Sequence, residues 1–222
     1  SSDGWFRAQC NATLAHCFVT LGQTARAKRL LGTEAPADAM AHVMWLIAKV
    51  RLARSEGRPV RPLLDELEQL AVASPRSERL LWQVRIERVR ELEADDAVAL
   101  ARQVAEQSLA KHTYSAYLPA TVVLTDALRR AGQFDQAVAA ARALVDQFAT
   151  RAEIGMYPAE CWWLIHQALD AGGDRAGARA ALHRGAHWVQ ATAEARVPDE
   201  FRSSFLERNP VNRGLLTTLT RT

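Results

Sequence analysis

Three glycines set the terms for this chain. Gly22, Gly132 and Gly173 each stand between two apolar helix patterns, and each is followed five residues on by an alanine: Ala27, Ala137 and Ala178. Leu63, six residues past Gly57, falls in step with them, as does Ala97, whose turn lacks glycine. The spacings between these five positions are 36, 34, 40 and 41 residues. A period of that size built from paired helices marks a stack of helical hairpins. One hairpin cannot bury its own apolar face, so hairpins must lie against each other. Small residues at fixed places let their backbones approach.

The clearest hairpin runs from Pro158 to Gln190. Trp162, Ile165 and Leu169 form one apolar stripe, Gly172-Gly173-Asp174 turns the chain, and Ala178, Ala181 and Gly185 follow on the returning helix. Looser copies precede it. The apolar periodicity predicts helices over Trp5 to Leu21, Gln23 to Leu31, Ala37 to Ser55, Val60 to Ala73, Glu78 to Glu93, Ala97 to Leu109, Ser115 to Arg130 and Phe134 to Phe148. The expected buried stripes are Leu14, Phe18 and Leu21 in the first helix, Leu63, Leu67 and Leu70 in the fourth, and Leu81, Val84 and Val89 in the fifth. Gly32 and Gly57 sit just past helix ends, where positive φ is useful. Pro59 and Pro62 frame a helix start, Ser74-Pro75 a stop, Ser77 an opening, and 149–157 a longer connection. After Gln190 the helix continues towards Arg196. Two short helices follow, Glu200 to Arg208 and Val211 to Thr220. No stretch alternates apolar and polar residues with period two, so the expected class is all-α.

Composition narrows the function. The 222 residues are enough for one sizeable core, so we expect a single helical-repeat domain over 1–222, with repeats over 1–190 and a cap over 191–222. The 28 basic and 25 acidic residues are interleaved and leave a net charge of only +3. That argues against nucleic-acid binding. Three cysteines without close spacing argue against a disulfide framework and for a reducing, cytoplasmic setting. No apolar run reaches the roughly 18 residues needed to span a bilayer, so no membrane partner is expected. The chain opens Ser-Ser-Asp-Gly without Met, and we expect it to be a piece of a longer polypeptide.

The hairpins resemble the tetratricopeptide repeat. The fifth supplies Trp162, Ile165, Gly173, Ala178, Leu182 and Gly185; the first supplies Leu14, Ala15, Phe18, Gly22, Ala27 and Leu31; the fourth supplies Leu124, Leu128, Gly132, Ala137, Ala141 and Leu144. Hairpins two and three fit the pattern poorly. The resemblance covers about Trp5 to Gln190. It implies a right-handed superhelix of about five antiparallel hairpins with a C-terminal capping helix pair. The tail from Val197 to Leu216 is similar to the end of tetratricopeptide-like regions in large bacterial signalling regulators, the transcriptional activators and adenylate-cyclase-like multidomain ATPases. That similarity implies a sensor or scaffold module. Independently of any family, Phe201, Phe205 and Leu206 are placed to plug the open end of the last hairpin.

First helices line the inner groove of tetratricopeptide proteins. In that register the groove positions are Gln9, Ala12 and His16 in hairpin one, Val122, Asp126 and Arg129 in hairpin four, and Glu160, Trp163 and Gln167 in hairpin five. Such a mixed aromatic and polar wall suits a protein, a peptide or a small effector, with no cofactor and no metal. The competing reading packs Trp163 against the tail or hairpin four. His183 and His187 share a helix face but have no third ligand in a telling place. The basic clusters Arg26, Lys28, Arg29 and Arg175, Arg179, Arg184 read as solvated helix faces. Gly172-Gly173-Asp174 lacks the spacing and lysine of a phosphate loop, and Ser203-Ser204 lacks a nucleophile elbow. The expected function is therefore a non-catalytic binding module. The alternative is an oligomerisation scaffold, in which apolar surface near Trp5 and Phe6 pairs two chains.

Overall fold

The computed structural model describes residues 2–73, 78–150 and 156–221, without the side chains of 2–5, 149 and 150. The expected Ser74-Pro75 stop, the Ser77 opening, residues 151–155 of the long connection and the Trp5 side chain lie outside the described residues. Among those described there are twelve helices and no strand. They are α1 (Ser2–Thr20), α2 (Thr24–Leu31), α3 (Ala39–Ser55), α4 (Arg61–Ala73), α5 (Glu78–Val89), α6 (Ala94–Ala110), α7 (Tyr114–Arg130), α8 (Phe134–Thr150), α9 (Pro158–Ala171), α10 (Arg175–Ala195), α11 (Asp199–Glu207) and α12 (Pro210–Leu219).

The turns share one construction. Gly22, Gly132 and Gly173 adopt φ of +70°, +70° and +79°. The next residue donates its N–H back across the turn: Gln23 to Phe18 O at 2.7 Å, Gln133 to Leu128 O at 2.9 Å and Asp174 to Leu169 O at 2.9 Å. That is the helix ending in which a left-handed residue satisfies the last free carbonyls. The end of α6 is built the same way with Thr113 donating to Ser108 O, but there His112 takes the left-handed place at φ +53°.

The chain divides into two compact units: Ser1–Ser77 with Thr192–Arg213, and Glu78–Ala191 with Gly214–Thr222. In the first unit α1 packs on α2 and α3, α2 on α3, and α3 on α4. Ala12, Ala15, Ala27, Leu31, Ala48 and Leu52 form one core cluster. Two expectations shift here. Leu14 is 49% exposed, because the inward stripe of α1 consists of alanines 12 and 15 and Leu14 lies about 200° round the helix from Ala12. In α4 the buried set is Leu64, Leu67 and Ala71, continuing from Val60, so Leu63 and Leu70 are only half-buried.

The tail also departs from expectation. α11 belongs to the first unit, and its Phe201 and Ser204 meet the first hairpin. Phe201 meets Phe18 edge-to-face at 6.0 Å, and the Arg26 guanidinium lies 4.9 Å from the Phe201 ring. Ser204 Oγ donates to Leu21 O at 2.7 Å and accepts from Gln23 Nε2 at 2.8 Å, while Asn209 Nδ2 donates to Thr20 O at 2.9 Å. These bonds satisfy carbonyls that the end of α1 leaves free. A Cβ on Gly22 would stand 2.5 Å from Ser204 O and 2.9 Å from Arg208 Cβ, so the approach needs glycine as much as the turn does.

In the second unit α5 packs on α6 and α7, α6 on α7, α7 on α8 and α9, and α8 on α9. One core cluster runs through it and includes Trp82, Ala97, Leu118, Leu128, Ala137, Leu144, Ile165 and Ala178. Trp82, not Leu81, is the deep residue of α5. The end of the tail seats here. Leu215 is fully buried against Gly185, where a Cβ would stand 2.8 Å from Leu215 Cδ2 and 2.9 Å from Trp162 Cβ.

Candidate partner-binding face

The first helices of three successive hairpins, α5, α7 and α9, carry a row of paired charges in the second unit. Arg90, just past the end of α5, donates through Nη1 to Glu160 of α9. Its Nε lies 3.8 Å from Glu87 Oε2. Burial works against the Arg90 charge, but Glu160, Glu87 and Asp126 outweigh it and hold the guanidinium pKa above its ordinary value. On α7, Asp126 Oδ1 accepts from Arg129 Nη2 at 2.8 Å, and Asp126 Oδ2 accepts from Arg130 Nε at 3.2 Å. Arg130 then donates to Val89 O and Leu92 O, both at 2.9 Å. It thereby closes the carbonyl end of α5, where a cation also suits the helix dipole.

The structure brings together three of the expected residues, Asp126, Arg129 and Glu160. Asp126 and Arg129 are a direct pair, Glu160 joins α5 through Arg90, and Gln167 sits half-buried further along α9. Trp163 is half-buried too, and its ring lies over the tail. A Cβ on Gly214 would stand 3.6 Å from Trp163 Cζ2, and the His166 ring lies 5.5 Å away. Val122 does not line any face: it is 0% exposed inside the core. Ala12 is likewise buried. Val122 is covered because α7 is packed by α5, α6, α8 and α9, which bury every residue from Leu118 to Val123. His16 belongs to the first unit, where Arg51 Nη1 approaches its Nε2 at 2.7 Å.

Arg90 is the residue that pattern reading missed. It looks like part of the wet side of a charged helix. The usable signal was its place three residues after Glu87, an ion-pair spacing, just past the last stripe residue, Val89. Beside the pair, the Cys161 thiol is pushed up well beyond its usual pKa, first by burial and then by Glu160. It stays protonated and is no nucleophile. His183 and His187 are both exposed, and among the described residues no three potential ligands group to hold a metal. What the row can do is present fixed charges at defined spacing, since each partner orients the next.

A scan against protein-family models and searches of curated proteins and of solved structures find no match to this chain.

Proposed function

We propose that this chain is a non-catalytic helical-repeat module, tetratricopeptide-like in build, that binds a protein or peptide on the α5–α7–α9 face and serves a cytoplasmic bacterial regulator. The recurring turn, the small-residue column and, within each unit, the packing of α1 on α3, α5 on α7 and α7 on α9 support the repeat reading. One observation carries the functional reading. On the first-helix side, Arg90 of the third hairpin pairs with Glu160 of the fifth, and Asp126 of the fourth adds to the field that holds the Arg90 charge. A surface whose charges merely keep a helix wet has no reason to order them across three hairpins. Arg129 remains partly open beside these fixed pairs, as does Gln167 about two turns beyond Glu160 on α9, and a peptide would take its hydrogen bonds from them.

A peptide-display selection on the whole purified chain tests this. Selected peptides should lose affinity about tenfold or more with Arg129→Glu. Selections that yield no binder, or binders indifferent to that substitution, count against the proposal.

A second reading rests on α1. Phe6 is 63% exposed and Leu14 49% exposed, and both stand on the outer side of this helix. An assembly role would use that apolar surface to pair two chains. Sedimentation decides: a monomer at every concentration removes the assembly reading, and a dimer lost on Leu14→Glu favours it.

A further inference from the structure

A different face carries its own signal. Between residues 23 and 61 the chain holds eight Lys or Arg against three Asp or Glu, although the whole chain is nearly balanced. The excess gathers where α2 ends against α3. Lys49 Nζ donates to Gly32 O at 2.6 Å and lies 4.6 Å from the Trp45 ring. Trp45 Nε1 in turn donates to Leu31 O at 2.7 Å. The ammonium is therefore held in one place by two contacts, with only one of its three donors on the carbonyl. Lys28, in the last turn of α2, and Arg58, beyond α3, are exposed and close enough to repel it. Desolvation lowers the Lys49 pKa, and Arg58 and then Lys28 lower it further. Glu56 offsets part of this through its pair with Arg58 at 2.5 Å.

We propose that Lys28, Lys49 and Arg58 form a docking surface for an acidic peptide segment of a partner protein. A cation at a helix C-terminus is ordinary. Two more beside one fixed ammonium are more than the dipole of an eight-residue helix needs. An arriving carboxylate accepts from the unused Lys49 donors and removes the mutual repulsion of the three cations. Lys49 does not have to be ordered first, which lowers the cost of binding. A peptide fits better than a nucleic acid. Lys49 covers a face of the Trp45 indole and Leu31 O occupies its N–H, so Trp45 is not available as a platform for stacking bases.

The test is fluorescence anisotropy with a dye-labelled hexaglutamate peptide and the whole chain at low salt. The double reversal Lys28→Glu with Arg58→Glu should weaken binding about tenfold or more. Both side chains are exposed, and an unchanged melting temperature confirms that the variant is folded. The control is Arg175→Glu with Arg179→Glu, which changes net charge equally on exposed positions of α10 and should leave affinity within about twofold. Lys49→Gln should weaken binding as well. Three results overturn the proposal: no binding by the wild-type chain, equal losses in the two double variants, or tighter binding of a thymidine oligonucleotide than of the peptide.

Discussion

Gly22 shows how one residue serves two demands. It turns α1 into α2 at positive φ, and its missing side chain admits Ser204 and Arg208. Gly132 has the same φ but open space around its Cβ position. Gly132→Ala should therefore cost only the left-handed conformation, about 1 kcal/mol. Gly22→Ala should cost clearly more, about 3 kcal/mol, because the tail must also move. Urea melts of the two variants measure the difference, and equal losses would mean that the tail does not press on this turn. Asp174 makes a second residue-scale prediction. The Gly177 N–H, and then Arg142, hold its carboxyl below its ordinary pKa of 3.8. A lowered folded pKa stabilises above the unfolded value, and the benefit is lost as pH falls through the folded one. Asp174→Ala should thus melt below the parent at neutral pH, with the gap narrowing once pH drops below 3.8. The turn residues were legible in the sequence because glycine spacing is local. The inward face of α1 was not. Alanine carries so little apolar signal that Leu14 looked like the better core residue.

The helices themselves were readable almost throughout, since long amphipathic stretches between glycines and prolines leave few alternatives. The boundaries moved where polar residues sit inside a helix. Asp95 and Asp96, acidic groups that favour the dipole of a helix start, lie within the first turn of α6, which begins at Ala94 and not at Ala97. α5 stops at Val89, which leaves Arg90 free to reach Glu160. That pair makes the element-scale prediction. Glu160→Gln removes the nearest counter-charge of the mostly buried Arg90, leaving only Glu87 and Asp126, and should cost about 2 kcal/mol. Arg90→Met combined with Glu160→Leu should restore most of that loss, because apolar replacement of a buried ion pair is often neutral. Chemical denaturation of the single and double variants checks it. Equal destabilisation of both would show that the pair holds α5 to α9 by more than charge.

At the scale of the molecule, the hairpin period could be read directly but the destination of the tail could not. Gln23 and Ser204 are 181 residues apart, and no local pattern links them. Phe201, Phe205 and Leu206 announced an apolar cap; only the fold set Phe201 against Phe18 of the first hairpin. The candidate face was half legible for the same reason. Asp126, Arg129, Glu160 and Gln167 follow from helix register, whereas Arg90 enters through a contact across 70 residues. The central claim is that partners are held on first helices. Amide hydrogen exchange of the chain with and without a display-selected peptide tests it most directly. The account predicts added protection within α5, α7 and α9, with α6 and α8 unchanged. Protection concentrated on α6 and α8, or none in Glu78–Ala191, would contradict it.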